Sequence, residues 1–205
     1  MRKKPMLCRK LQDRNRHKIV IGLMGAHSGA GVTCTGLMLA FYMGEEQGIR
    51  TAFLECSGHD DINLLQQAYE WKREDLNSFT YGHITCFKKV TSDQVADILG
   101  EGYGCVIFDF GADFAENRAE FLRCDRKLVL GGWAEWNCQK LGRFIRSVQS
   151  IKGNETWDYL VPCAGPKIIR GLHREFSRKF YSVPLERDLT RPSRTAGRLF
   201  RMLLD

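Results

Sequence analysis

The residues best suited to chemistry lie in one glycine-rich stretch, Gly25-Ala26-His27-Ser28-Gly29-Ala30-Gly31-Val32-Thr33. It follows a short β-branched apolar run, Ile19-Val20-Ile21-Gly22-Leu23-Met24, and precedes a long apolar stretch, residues 33–46, that reads as a helix. A loop between a strand and a helix N-terminus turns backbone N–H groups and the positive end of the helix dipole toward one point, which suits phosphate. Gly29 and Gly31 permit the positive φ and close backbone approach such a loop needs. His27 could hold an anion when protonated, but an exposed loop histidine without a role is expected. The eight cysteines form no C-x-x-C pair, and the histidines do not join them at zinc spacing. Several fall in apolar segments, where a reduced thiol behaves as a small hydrophobe, so buried thiols are expected.

The flanking pattern shows what must position this loop. Strands are predicted at 50–56, 105–110, 127–131 and 158–161, with a strand or hairpin over 78–90 and a short strand near 181–183. Helices are predicted at 33–46, 61–71, 91–99, 114–122, 137–151 and from about Thr195 onward. Pro162 ends its strand because proline cannot donate to a ladder. This alternation predicts an α/β fold, a predominantly parallel sheet with helices on both faces. No internal repeat or low-complexity tract interrupts it.

With 205 residues and 43% apolar composition the chain can bury one sizeable core. No apolar run approaches the ~20 residues of a membrane span, and no secretory signal is evident, so a cytoplasmic protein is expected. The net charge of +7 is concentrated at the ends. Residues 1–18 hold eight Lys/Arg against one Asp, and residues 165–205 hold ten against four acids. Residues 1–17 read as a basic arm and 18–205 as the folded domain. The arm could contact DNA phosphate or anionic lipid without sequence preference. The last helix sets Ala196, Leu199, Phe200 and Leu203 on one face and Arg194, Arg198 and Arg201 around the other. That pattern suits core packing, with a membrane or DNA contact through residues 1–18 and 194–205 as the competing reading.

His27-Ser28-Gly29-Ala30-Gly31-Val32-Thr33 resembles the deviant Walker A loop of the ParA/MinD ATPases, Lys-Gly-Gly-Val-Gly-Lys-Thr. Residues 51–55 resemble that family's second strand, with its terminal acid, and residues 106–111 its Walker B strand. Residues 128–132 resemble the strand that follows, and 183–186 its last strand. The resemblance implies a P-loop NTPase domain over 18–205, in which Gly25 and the loop His27, Ser28, Gly29, Ala30, Gly31, Val32 and Thr33 line the nucleotide and Thr33, Glu55 and Asp109 serve magnesium. It also marks the departures. Val32 stands at the lysine that contacts the β- and γ-phosphates, and His27 at the signature lysine that reaches across an ATP-bound dimer. No asparagine for adenine follows the strand ending at Val161-Pro162.

A neutral aliphatic side chain cannot balance phosphate charge, so conventional ATP hydrolysis is not expected. Thr33 reads either as a magnesium ligand or, by preference, as the cap of its helix. Asp109 reads either as a metal acid or as a strand-end carboxylate bonded to loop amides. The expectation is a degenerate, non-catalytic member of the group. It would position or scaffold a protein partner, in the manner of TadZ/CpaE-like proteins beside secretion and pilus-assembly machines. No catalytic residue and no cofactor is then required. The alternatives are an atypical switch bound to Mg-ATP or Mg-ADP, with a homodimer left open, and a nucleic-acid or membrane binder working through the basic ends.

Overall fold

The computed structural model describes residues 18–69, 71 and 77–205. The arm expected at 1–17 lies outside these. Strands β1 (Ile19–Gly25), β2 (Thr51–Glu55), β3 (Ser78–Tyr81), β4 (Ile84–Phe87), β5 (Cys105–Asp109), β6 (Arg126–Leu130), β7 (Asp158–Pro162) and β8 (Lys179–Val183) form one sheet. Their order is β3-β4-β2-β5-β1-β6-β7-β8. Among the described residues the β3–β4 hairpin alone is antiparallel, and the other pairings are parallel.

Helices α1 (Val32–Phe41), α2 (Asp61–Ala68), α3 (Ser92–Gly100), α4 (Phe114–Arg123), α5 (Glu135–Ser147), α6 (Pro166–Phe176) and α7 (Arg194–Leu204) cover both faces. The period-2 alternation of the strands divides the core between them. In β5, Cys105 and Ile107 join one cluster with α1 and α7, while Val106 and Phe108 join another with α4, α5 and α6. β1 lies between β5 and β6, so the chain leaves it in one direction through α1 and returns later on the other side. Its carboxyl end is therefore the switch point at which open α/β sheets form a crevice.

Several elements differ from expectation. α1 is α-helical only to Phe41 and continues as one π-helical turn, Tyr42–Glu46. That turn brings Gly44 so near β4 that a β-carbon there would lie 2.4 Å from Ile84 Cγ1. α2 is shorter than the predicted 61–71, and α5 begins at Glu135 and stops at Ser147. The sequence reading missed α6. Its Gly165-Pro166 start looks like a turn, yet proline at the first helical position is a helix opener. Ile168, Leu172 and Phe176 at four-residue spacing were the available signal.

The face of α7 that carries Ala196, Leu199, Phe200 and Leu203 is buried in the core, while Arg194, Arg198 and Arg201 face outward. Among the described residues no helix is long and apolar enough to cross a membrane.

Candidate functional site: the loop after the first strand

The loop is fastened by the strands on either side of β1. Gly25 N–H donates to Gly111 O and Ala26 N–H to Leu130 O, both at 2.7 Å. Beyond Ala26 the bonding thins. Ser28 and Gly29 form a tight turn, and among the described residues no backbone N–H from His27 to Thr33 donates a hydrogen bond of normal geometry. Gly29 and Gly31 adopt φ of +73° and +89°, the left-handed region that glycine enters without strain. Open amides in such a loop form a concavity suited to an anion.

Thr33 does not cap α1. Gly31 holds the N-cap position without a side-chain bond, and Thr33 is the second residue of the helix. Its Oγ1 lies 3.5 Å from Asp61 Oδ2, and its hydroxyl also stabilises the charged form of Asp109. Sequence reasoning passed over Asp61, the first residue of α2. An acid opening a helix just after the second strand was the only hint.

Asp109 is fully buried, with Oδ1 accepting the Gly111 N–H at 2.9 Å. Its Oδ2 is buried without a hydrogen bond of normal geometry. Burial pushes the carboxyl above its usual range, the Thr33 hydroxyl and the Gly111 amide oppose that shift, and the Asp61 charge adds to it. The expected bond to a loop amide is present, and the approach to Thr33 exists beside it.

Glu55 pairs in register with Asp109, but its carboxylate turns to other work. Oε1 accepts from Ile62 N–H at 3.2 Å and Oε2 from Lys89 N–H at 3.4 Å, tying the start of α2 to the exit of β4. Burial raises its pKa as well, against those two amides. Of the three residues assigned to magnesium by resemblance, Thr33 and Asp109 converge while Glu55 serves the backbone.

The two substituted lysine positions behave differently. Val32 is 7% exposed and belongs to the core; a β-carbon on Gly25 would lie 3.1 Å from its Cγ2. His27 is half-buried rather than exposed, with Nδ1 2.8 Å from Ser28 O. A carbonyl can only accept, so Nδ1 carries a proton. Nε2 is buried without a partner among the described residues.

Mg-ATP or Mg-ADP is the ligand the resemblance implies, and only part of the site fits it. The backbone suits a phosphate. The side chains bring no lysine or arginine into residues 25–33, and among the described residues no group of three His, Cys, Asp or Glu could hold a metal ion.

The seven described cysteines are free. Burial pushes Cys56, Cys86 and Cys124 up to about 12, which keeps them as thiols at neutral pH. Cys34 and Cys163 depart from the expectation of burial and are exposed.

No protein-family model matches the chain. Nor does any curated protein. Solved structures do. A ParA family ATPase from Chlorobium tepidum TLS is 14% identical, with 90% of this chain and 91% of that one covered at a TM-score of 0.62. The septum site-determining protein MinD complexed with Mg-ADP, from Pyrococcus horikoshii OT3, is 12% identical, with 91% and 94% covered at 0.62. A chain of the MinC:MinD cell division protein complex of Aquifex aeolicus is 13% identical, with 84% of each chain covered at a TM-score of 0.60. The chain thus has the α/β fold of the ParA/MinD group of P-loop ATPases.

Proposed function

We propose that the chain is a non-catalytic module of ParA/MinD fold that positions or scaffolds a protein partner. The observation that carries this reading is Val32. At the place of the phosphate-contacting lysine stands an aliphatic side chain that is part of the core, so the loop offers amides without a cation. Phosphoryl transfer depends on preorganised positive charge around the γ-phosphate, and amide dipoles alone supply little of it. The fold is otherwise complete, which is what a scaffold keeps. The MinC:MinD complex supports a protein as the partner. By analogy with TadZ/CpaE-like proteins, we place that partner in a secretion or pilus-assembly machine.

A second reading is a Mg-nucleotide switch, favoured by the open amides and by Thr33 beside Asp109. The MinD bound to Mg-ADP supports it as a use of this fold. Phosphate release from Mg-ATP separates scaffold from enzyme. We expect the wild-type rate to equal the buffer blank; turnover that disappears in Asp109→Asn would overturn the scaffold reading.

A further inference from the structure

Helices α3, α4, α5 and α6 stand side by side on one face of the sheet. They link β4, β5, β6, β7 and β8, which follow in that order across it. Right-handed crossovers put each connecting helix on the same side. Ile98, Phe121, Leu141 and Leu172, one from each helix, meet there in one core cluster.

The outward side of this row changes charge from one end to the other. Residues 91–101, which hold α3, contain three acids and no Lys or Arg. α4 carries two acids and two arginines, and α5 one acid and three Lys/Arg. Residues 165–179, which hold α6, contain five Lys/Arg and one acid. Asp93 and Asp97 are exposed at one end and Lys167, Arg170 and Arg174 at the other, each set spaced along one helix stripe. None of these five forms an ion pair among the described residues.

The middle of the row carries an aromatic ring. Trp136 is 66% exposed, and among the described residues it is the sole exposed large apolar side chain of the four helices. It shares a stripe with Lys140 and Arg143, on the side of α5 away from Leu141 and Ile145. The neighbouring surface of α4 is low, with Ala115 and Ala119 exposed on either side of Arg118. Trp136 and Ala115 are each the second residue of their helix.

We propose that two copies of the chain associate through this face, about a two-fold axis parallel to the helices. Such an axis reverses the row, so α3 of each copy meets α6 of the other and α4 meets α5. Helix directions are kept. Trp136 then lies against the partner's Ala115 and Ala119, and Asp93 and Asp97 against the partner's Lys167, Arg170 and Arg174. An unreversed stacking would set acid on acid, which like-charge repulsion opposes. Aromatic anchors at the centre and charge at the rim are how protein interfaces are built. Four helices ~10 Å apart and about 15 Å long offer a projected area of roughly 600 Å², of the order of the ~800 Å² each partner buries in a standard interface. The loop opens at the carboxyl end of β1 and not on this face, so the association needs no nucleotide.

The test is sedimentation velocity of nucleotide-free full-length protein at about 100 μM, with and without nuclease treatment, in about 50 and 500 mM salt. We expect twice the chain mass at low salt and dissociation about tenfold weaker in affinity at high salt. Asp93→Lys/Asp97→Lys and Lys167→Glu/Arg170→Glu/Arg174→Glu should each be monomeric. An equal mixture of the two should form the dimer again, because both contacts then join opposite charges. Wild type that stays monomeric would overturn the proposal, as would a dimer indifferent to both reversals or a mixture that does not associate. A heavier species lost on nuclease treatment would give α6 to nucleic acid and overturn it too.

Discussion

Val32 Cγ2 lies against Gly25 so closely that a β-carbon added to the glycine would stand 3.1 Å from it. The same added carbon would meet His27 O at 3.0 Å and Gly111 O at 3.2 Å. The residue in place of the phosphate lysine is thus part of the packing that holds the loop to the end of β1. Two consequences follow from this contact.

Gly25→Ala forces backbone to move, because two of the three crowded neighbours are carbonyl oxygens and Gly111 O already accepts the Gly25 N–H. Overpacking of this kind costs about 1–3 kcal/mol. Urea unfolding should show a lower midpoint with an unchanged slope.

Val32→Lys restores a cation to the loop. A hydrogen bond to a charged group contributes about 1.5–3 kcal/mol, or about 10- to 100-fold in affinity, so Mg-ATP binding should become measurable where wild type shows none. The loss of a buried valine should lower stability by about 1.5–3 kcal/mol. Calorimetric titration and urea melts of the same preparation check both, and an affinity unchanged from wild type would show that the loop amides are not arranged for phosphate.

Asp109 and Glu55 set a pH dependence. Both carboxyls titrate higher in the folded protein than in the unfolded chain, mainly through burial. Between the unfolded and the raised folded values the native state binds more protons, so their contribution is full below pH ~4 and is lost as pH rises through the folded pKa. Asp109→Asn removes one of these groups while its amide oxygen can still accept the Gly111 N–H. Its stability curve should fall less steeply from pH 4 to 8 than that of wild type, as read by denaturant melts across that range.

Gly44→Ala tests the π-helical turn. The new β-carbon would sit 2.4 Å from Ile84 Cγ1, and Ile84 is fully buried. Destabilisation of about 1–3 kcal/mol is expected. A thermal melt unchanged from wild type would mean that the turn relaxes freely.

The sequence revealed the fold more fully than the site. β1, β5 and β6 are dense apolar runs whose alternation decides burial, and they were placed within a residue or two. α6 escaped because Gly-Pro marks a turn and a helix start equally well, and only packing decides between them. At the site, spacing identified the loop but not the direction of its side chains. The inward turn of Val32, the half-burial of His27 and the amides that hold Glu55 all depend on neighbours distant in sequence. Thr33 occupies a residue type and place that suit a cap, yet Gly31 in the left-handed region makes the cap geometry without it.

The most direct measurement is calorimetric titration of full-length wild type and Thr33→Ala with ATP and ADP in the presence of magnesium. The scaffold account predicts no heat and no thermal shift at millimolar nucleotide for either protein. Micromolar binding by wild type that is lost in Thr33→Ala would contradict it and establish the loop as a working nucleotide switch.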